Sequence, residues 1–223
     1  ASAVSELTIG MMLTLLRSTH VSNSQMHNGE WYRFFGRRLS KVVIGVIGVG
    51  RIGVGVLKHL QCFGPPKVLA NDISDTPHEL NLPIQWVNKE QIFKEADVIT
   101  LHLPLTTLTL DLVKEQQLML MKNDAFIINT SRGGIINEKD LYKVMQSGHL
   151  GGAAIDVFEQ EPYDGPLKEI ERCLLTAHMG SMSVDCRTRM EIESTKEAIR
   201  FLAGKELESE VPQDEYVVQR HGL

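Results

Sequence analysis

The stretch Val42-Val43-Ile44-Gly45-Val46-Ile47-Gly48-Val49-Gly50-Arg51-Ile52-Gly53 decides the fold. Six residues without a polar side chain lead into G-x-G-x-x-G, and a helical period follows. A strand apolar on both faces suits a parallel sheet covered on both sides. Gly48 permits the tight turn, Gly50 lets backbone approach a pyrophosphate, and Gly53 lets helix and strand pack closely. Arg51 and Ile52 then open a helix whose free N–H groups face an anion. The motif gains meaning from its sequel. The next strand ends Val68-Leu69-Ala70-Asn71-Asp72, which places Asp72 19 residues after Gly53. An acid there accepts hydrogen bonds from adenosine ribose hydroxyls and repels a 2′-phosphate, so NAD is expected rather than NADP.

Outward from this unit, apolar runs alternate with amphipathic segments. Strands are expected at Val42 to Ile47, Val68 to Ala70, Val98 to Leu101, Ala125 to Ile128, Gly152 to Ile155 and Leu174 to Thr176. Helices are expected near Ile52 to Gln61, Lys89 to Glu95, Glu115 to Met121, Glu138 to Gln146 and Val184 to Leu202. Asn88 and Asn137 stand where N-caps belong. The alternation predicts an α/β fold with a doubly wound parallel sheet, whose ligands bind beyond the carboxyl ends of the strands. Val4, Leu7, Met11 and Leu15 recur at helical spacing through about Arg17, whereas His20 to Arg38 has no clean period and reads as a loop. One dinucleotide-binding domain is expected over 1–204, with a first helix at 1–18, a core and last helix at 42–204, and a polar tail at 205–223.

The 223 residues, 43% hydrophobic and 23% charged, exclude disordered, collagen-like and disulfide-dense classes. A net charge of −5 without charge blocks argues against nucleic acid or an anionic membrane surface as partner. Val42 to Gly50 is far short of the ~20 residues of a membrane helix. Cys62, Cys173 and Cys186 fit no metal or redox spacing and read as thiols in a reducing cytoplasm. Ala1 opens the chain without a Met or a charged leader, and the expectation is a chain that begins within a longer protein.

Chemistry is sought at strand ends. Among eight histidines only His102 and His178 directly follow apolar strands. Gly180 and Ser181 behind His178 let backbone approach a ligand, while His102 before Leu103-Pro104 could simply close its strand. Arg132 follows Phe126-Ile127-Ile128-Asn129, and Gly133-Gly134 leave its guanidinium open to a planar carboxylate, which its fork matches. Glu161 precedes Pro162 in the loop after Asp156. A carboxylate beside an imidazole holds its tautomer and favours its charged form, which suits proton exchange near neutrality. Arg, Glu and His at a nicotinamide site point to hydride transfer coupled to proton transfer on a carboxylate-bearing substrate; surface salt bridges are the alternative for each singly.

These motifs, in this order, resemble the D-isomer-specific 2-hydroxyacid dehydrogenases, a family that includes D-lactate, glycerate, phosphoglycerate and formate dehydrogenases. Ala3-Val4-Ser5-Glu6-Leu7-Thr8 resembles the start of the family's crossover helix, and Leu101-His102-Leu103-Pro104-Leu105-Thr106 its segment over the adenosine side. Asn129-Thr130-Ser131-Arg132-Gly133-Gly134, Asp156-Val157-Phe158-Glu159-Gln160-Glu161-Pro162 and His178-Met179-Gly180-Ser181 are similar to the stretches bearing the catalytic Arg, Glu and His. The resemblance implies that Arg132 binds the substrate carboxylate and carbonyl, that His178 is the acid/base, and that Glu161 pairs with it. It further implies that Asp156 and the Thr130 backbone hold the nicotinamide carboxamide, that Pro104, Thr109 and Gly180 belong to the cofactor site, and that the molecule is a homodimer. Family members place ~100 residues before the crossover helix, a length typical of a folding unit, so most of a substrate domain is expected outside this sequence. A second reading from the same fold is an NAD-sensing transcriptional corepressor. A β-hydroxyacid dehydrogenase is disfavoured, because that group's glycine motif opens the chain and its lysine motif is not evident.

Overall fold

The computed structural model describes residues 1–64, 67–73, 83–208 and 210. In chain order these form α1 (Ser2–Arg17), α2 (Thr19–His27), β1 (Val43–Ile47), α3 (Arg51–Leu60), β2 (Lys67–Asn71), β3 (Ile84–Trp86) and α4 (Lys89–Glu95). There follow β4 (Val98–Leu101), α5 (Glu115–Leu120), β5 (Phe126–Asn129), α6 (Glu138–Ser147), β6 (Gly152–Ile155), β7 (Cys173–Leu175) and α7 (Val184–Leu202). The strands form one parallel sheet in the order β3-β2-β1-β4-β5-β6-β7. The order reverses at β1, so a crevice opens beyond the carboxyl ends of β1 and β4, where such sheets bind ligands.

Strand side chains alternate between two cores. Ile47, Leu69, Ile99, Ile127 and Ala153 pack with α4, α5 and α6, whereas Ile44, Val46, Val68, Val98 and Ile128 pack with α1 and α3. Burial on both faces explains why these strands read as continuous apolar runs. Close approaches fix the layers: a Cβ on Gly45 would lie 2.4 Å from Ile92 Cγ2, and one on Gly55 would lie 2.8 Å from the Ser5 hydroxyl. Asn88 and Asn137 cap α4 and α6 by accepting from the N–H groups of Gln91 (2.8 Å) and Asp140 (3.1 Å).

The structure corrects two expectations. Residues 19–27, read as loop, form α2; Ser18 breaks the helix in the left-handed region (φ 50°), and Val21 is the helix's one buried residue, so no period shows in the sequence. β3, which the sequence did not announce, is a half-exposed three-residue edge strand with Gln85 between its apolar positions. The other elements fall within two residues of expectation. In the expected tail, residues 205–208 are exposed, and 209 and 211–223 lie outside the described residues. α7 contributes no buried side chain. No described helix is long and apolar enough to cross a membrane.

Candidate active site

Six strand ends stand in one row: Asn71, Ile47, Leu101, Asn129, Ile155 and Leu175 are successive register partners. The ladder runs one residue further, with Gly48, His102, Asp156 and Thr176 donating their N–H groups to Asn71, Ile47, Asn129 and Ile155 at 2.8–3.0 Å. Every candidate residue except Thr109 therefore lies within six residues of a strand end on a common edge, which is why residues far apart in sequence meet.

At the end of β1 the three glycines divide their work. Gly48 has φ +91°, and a Cβ there would meet His102 O at 2.3 Å; a Cβ on Gly53 would meet Gly48 O at 2.1 Å. Gly50 has nothing within 4 Å of where its Cβ would stand. Two glycines thus tighten the turn while the third leaves open space before the N-terminus of α3, where Arg51 is exposed and Ile52 half-buried. These features fit a dinucleotide pyrophosphate. Asp72 Oδ2 accepts the Val49 N–H at 2.5 Å, so the expected ribose acid also holds the glycine loop. The loop after β4 is stapled by Thr109, whose hydroxyl donates to Pro104 O at 2.6 Å and accepts the Thr106 N–H at 2.8 Å. His102 turns inward instead: Nε2 lies 3.0 Å from the Thr100 hydroxyl, and burial pushes its pKa down to about 3. It is a neutral packing residue.

Arg132 projects from a loop fixed by Asn129. The Asn129 amide donates to Arg132 O (2.9 Å) and its carbonyl oxygen accepts the Ser131 N–H (3.0 Å), while the Ser131 hydroxyl donates to Leu101 O (2.6 Å). The guanidinium is exposed and spends one Nη1 bond on Ser131 O (2.7 Å). Thr130 is tied to α1 by a 3.0 Å hydroxyl contact with Thr8.

Asp156 is fully buried. Its Oδ1 accepts from the Thr176 hydroxyl (2.5 Å) and the Met179 N–H (2.7 Å), and its Oδ2 from the Gly180 N–H (2.8 Å). The His178 N–H donates to Asp156 O at 2.8 Å, and this clamp holds His178 in the left-handed region at φ 51°. Its Nδ1 lies 2.8 Å from Glu161 Oε2, and Glu161 Oε1 accepts the Phe158 N–H at 3.1 Å. Partial burial pushes the Glu161 pKa up, but hydrogen bonds from His178 and Phe158 and the charges of His178 and Arg132 outweigh it, and the net shift is downward. The carboxylate therefore stays charged and accepts, so Nδ1 carries a proton and Nε2 is left to exchange one. Glu161 and His178 line a cleft of about 620 Å³ together with Phe158, Tyr163, Leu175 and the polar Lys168 and Thr176.

Sequence reading missed Asn129, Ser131 and Thr176. Each is a polar residue at the end of an apolar strand, and that position was the available signal.

A crevice at the switch point of a doubly wound sheet, bordered by a glycine turn that leads into a helix, defines a dinucleotide-binding domain. Residues 9–180 match the family described as D-isomer specific 2-hydroxyacid dehydrogenase, NAD binding domain, and the chain belongs to that family. Glyoxylate reductase of Korarchaeum cryptofilum is 32% identical over 213 residues, covering 90% of this chain and 63% of that protein. Hydroxypyruvate reductase of Thermotoga maritima is 35% identical over 211 residues, covering 91% of this chain and 67% of that protein. The D-lactate dehydrogenase of Aquifex aeolicus, solved with NAD and lactic acid, superposes with a TM-score of 0.82 at 28% identity, covering 91% of this chain and 66% of that one. The chain thus spans somewhat less than two thirds of the length of the glyoxylate reductases it matches.

Proposed function

We propose that this chain is the cofactor-binding part of an NAD-dependent dehydrogenase that interconverts a D-2-hydroxy acid and its 2-keto acid. The observation that carries the reading is the 2.8 Å Glu161–His178 pair, whose carboxylate also feels the charge of Arg132. The bound nicotinamide supplies hydride acceptance or donation. The chain's own residues do the rest. With Nδ1–H committed to Glu161, neutral His178 takes the substrate hydroxyl proton at Nε2 during oxidation, and charged His178 returns it during reduction. Arg132 offers a planar fork to the substrate carboxylate and a positive charge to the carbonyl oxygen. Gly48, Gly50, Arg51, Ile52 and Gly53 seat the pyrophosphate, and Asp72 takes the ribose hydroxyls. Pro104 and Thr109 border the adenosine side, and the Thr130 backbone, Asp156 and Gly180 the nicotinamide side. Asp156 is fully buried with three donors on its carboxylate, so its part on that side is to hold the backbone that follows His178 in place.

The test is turnover of a panel of 2-keto acids with NADH by the full-length protein. Turnover that falls ~10²- to 10⁴-fold in kcat on His178→Asn supports the reading; no turnover of any member overturns it. The relatives described above are reductases and a dehydrogenase, which lends nothing to the corepressor reading. The exposed Trp31, Tyr32 and Phe35 support assembly as a homodimer, and three free thiols suit a reducing cytoplasm.

A further inference from the structure

Glu161 reaches His178 from a loop with no regular structure, so something must hold that loop still. Its anchor is Phe158, whose N–H holds one oxygen of Glu161 while the other oxygen meets His178, and whose carbonyl begins the Phe158–Glu159 peptide. This peptide is gripped from two sides. On one side Gly133, next to Arg132, lies so close that a Cβ there would stand 1.9 Å from Phe158 O. On the other, the first residue of α6, Glu138, accepts the Glu159 N–H on Oε1 at 2.6 Å, and the Glu138 N–H points back to Glu159 Oε1 at 3.3 Å. Asn137 fixes the start of that helix by its cap. A reciprocal bracket therefore joins the well-packed α6 to the loop that carries the glutamate.

We propose that Glu138 is a positioning residue for the Glu161–His178 pair, holding the Phe158–Glu159 peptide through its Oε1 so that Glu161 meets the imidazole at hydrogen-bonding distance. The proposal rests on the acid–base reading of that pair, but it concerns geometry and is tested without turnover. Reach matters here, and charge does not. Partial burial raises the Glu138 pKa, the Glu159 N–H lowers it, and the neighbouring charges of Glu159 and Glu161 raise it again, with a net upward shift. The protonated acid still offers an acceptor oxygen, and so does an amide.

Three substitutions separate the alternatives. Glu138→Gln keeps the length and the acceptor; Glu138→Asp keeps the charge and a residue suited to a helix start, but withdraws the oxygen by about one C–C bond, ~1.5 Å; Glu138→Ala removes both. The readouts, on the chain as given, are the ¹⁵N signals of the His178 imidazole, assigned with His178→Asn, and the exchange rate of the Glu159 amide. We expect Asp and Ala to shift the Nδ1 signal toward that of a Glu161→Gln control and to speed Glu159 exchange at least about tenfold, as loss of a hydrogen bond implies. Gln should match wild type in both. Asp is the variant that protects the test against misfolding. An unmoved His178 signal in Asp and Ala overturns the proposal, as does a set in which Gln fails and Asp succeeds, or in which all three fail alike. A protein that turned over no 2-keto acid would defeat the functional reading and leave these spectra unaffected.

Discussion

Asp156 shows how one side chain shapes the site without performing its chemistry. Three donors converge on a carboxylate with no solvent contact, two of them N–H groups of the residues just after His178, so the imidazole is placed by its neighbour's charge. Glu161, by contrast, is partly exposed. Its folded pKa is depressed, so its contribution to stability is fully present above the ordinary carboxyl value near 4.5 and is lost as pH falls through the lower folded value. The difference in unfolding free energy between wild type and Glu161→Gln should accordingly not shrink from neutral pH down to about 4.5 and should fall only below it. Both side chains are more than a third exposed, so the plateau should lie under about 1 kcal/mol. Urea titrations at a series of pH values measure it, and a difference that already shrinks between pH 7 and 5 would contradict the assignment. Arg132, Glu161 and His178 were legible in the sequence because each follows an apolar strand within a few residues. The Asn129–Ser131 network was not, since its partner Leu101 O belongs to another strand and no local spacing encodes it.

Elements were legible where burial imposes a period. The continuous apolar runs of β1 and β4 and the amphipathic α3 and α6 read directly, and the caps at Asn88 and Asn137 fixed two helix starts. α2 and β3 lacked that signal, having one buried residue between them. Contacts between elements are harder to read, and the join between the arginine loop and the glutamate loop is an example. Gly133 and Gly134 look alike in sequence but differ in what they meet. A Cβ on Gly133 would strike the Phe158 carbonyl at 1.9 Å, whereas on Gly134 (φ +80°) it would meet only side chains, Leu110 at 3.3 Å and Leu105 at 3.7 Å. Gly134→Ala should cost about 1–2 kcal/mol from the left-handed backbone alone. Gly133→Ala must push two loops apart, and overpacking against backbone puts its cost at about 3 kcal/mol. It should also raise KM for the keto acid and lower kcat together, because Arg132 and Glu161 move relative to each other. Chemical denaturation and steady-state kinetics check both, and equal effects of the two substitutions would show that the loops are not joined at Gly133.

At the scale of the whole molecule, the question is what covers its apolar surface. Trp31 and Tyr32 are 75% and 63% exposed and Phe35 is wholly so, in a segment beside α2 that packs little of itself inward. A buried aromatic side chain removes ~150–250 Å² from water, so the exposed parts of these three residues supply about half of the ~800 Å² that each partner of a stable complex contributes. α7 is a rival surface, with Val184, Phe201 and Leu202 each more than 70% exposed. The aromatic patch is the better candidate because Tyr32 and Phe34 already stack edge to face at 4.7 Å, a pre-ordered apolar surface that loses little conformational freedom on docking. Light scattering at micromolar concentration should therefore report a dimer. Trp31→Ser with Phe35→Ser should return it to a monomer while NADH affinity is kept, because neither residue lies at the nucleotide crevice. Phe201→Ser with Leu202→Ser should leave the dimer intact. A monomeric wild type counts against assembly through this chain, and a dimer lost only on changing α7 would move the interface to that helix. Because the contact is apolar, its dissociation constant should change little with added salt, in contrast to an association held by charge.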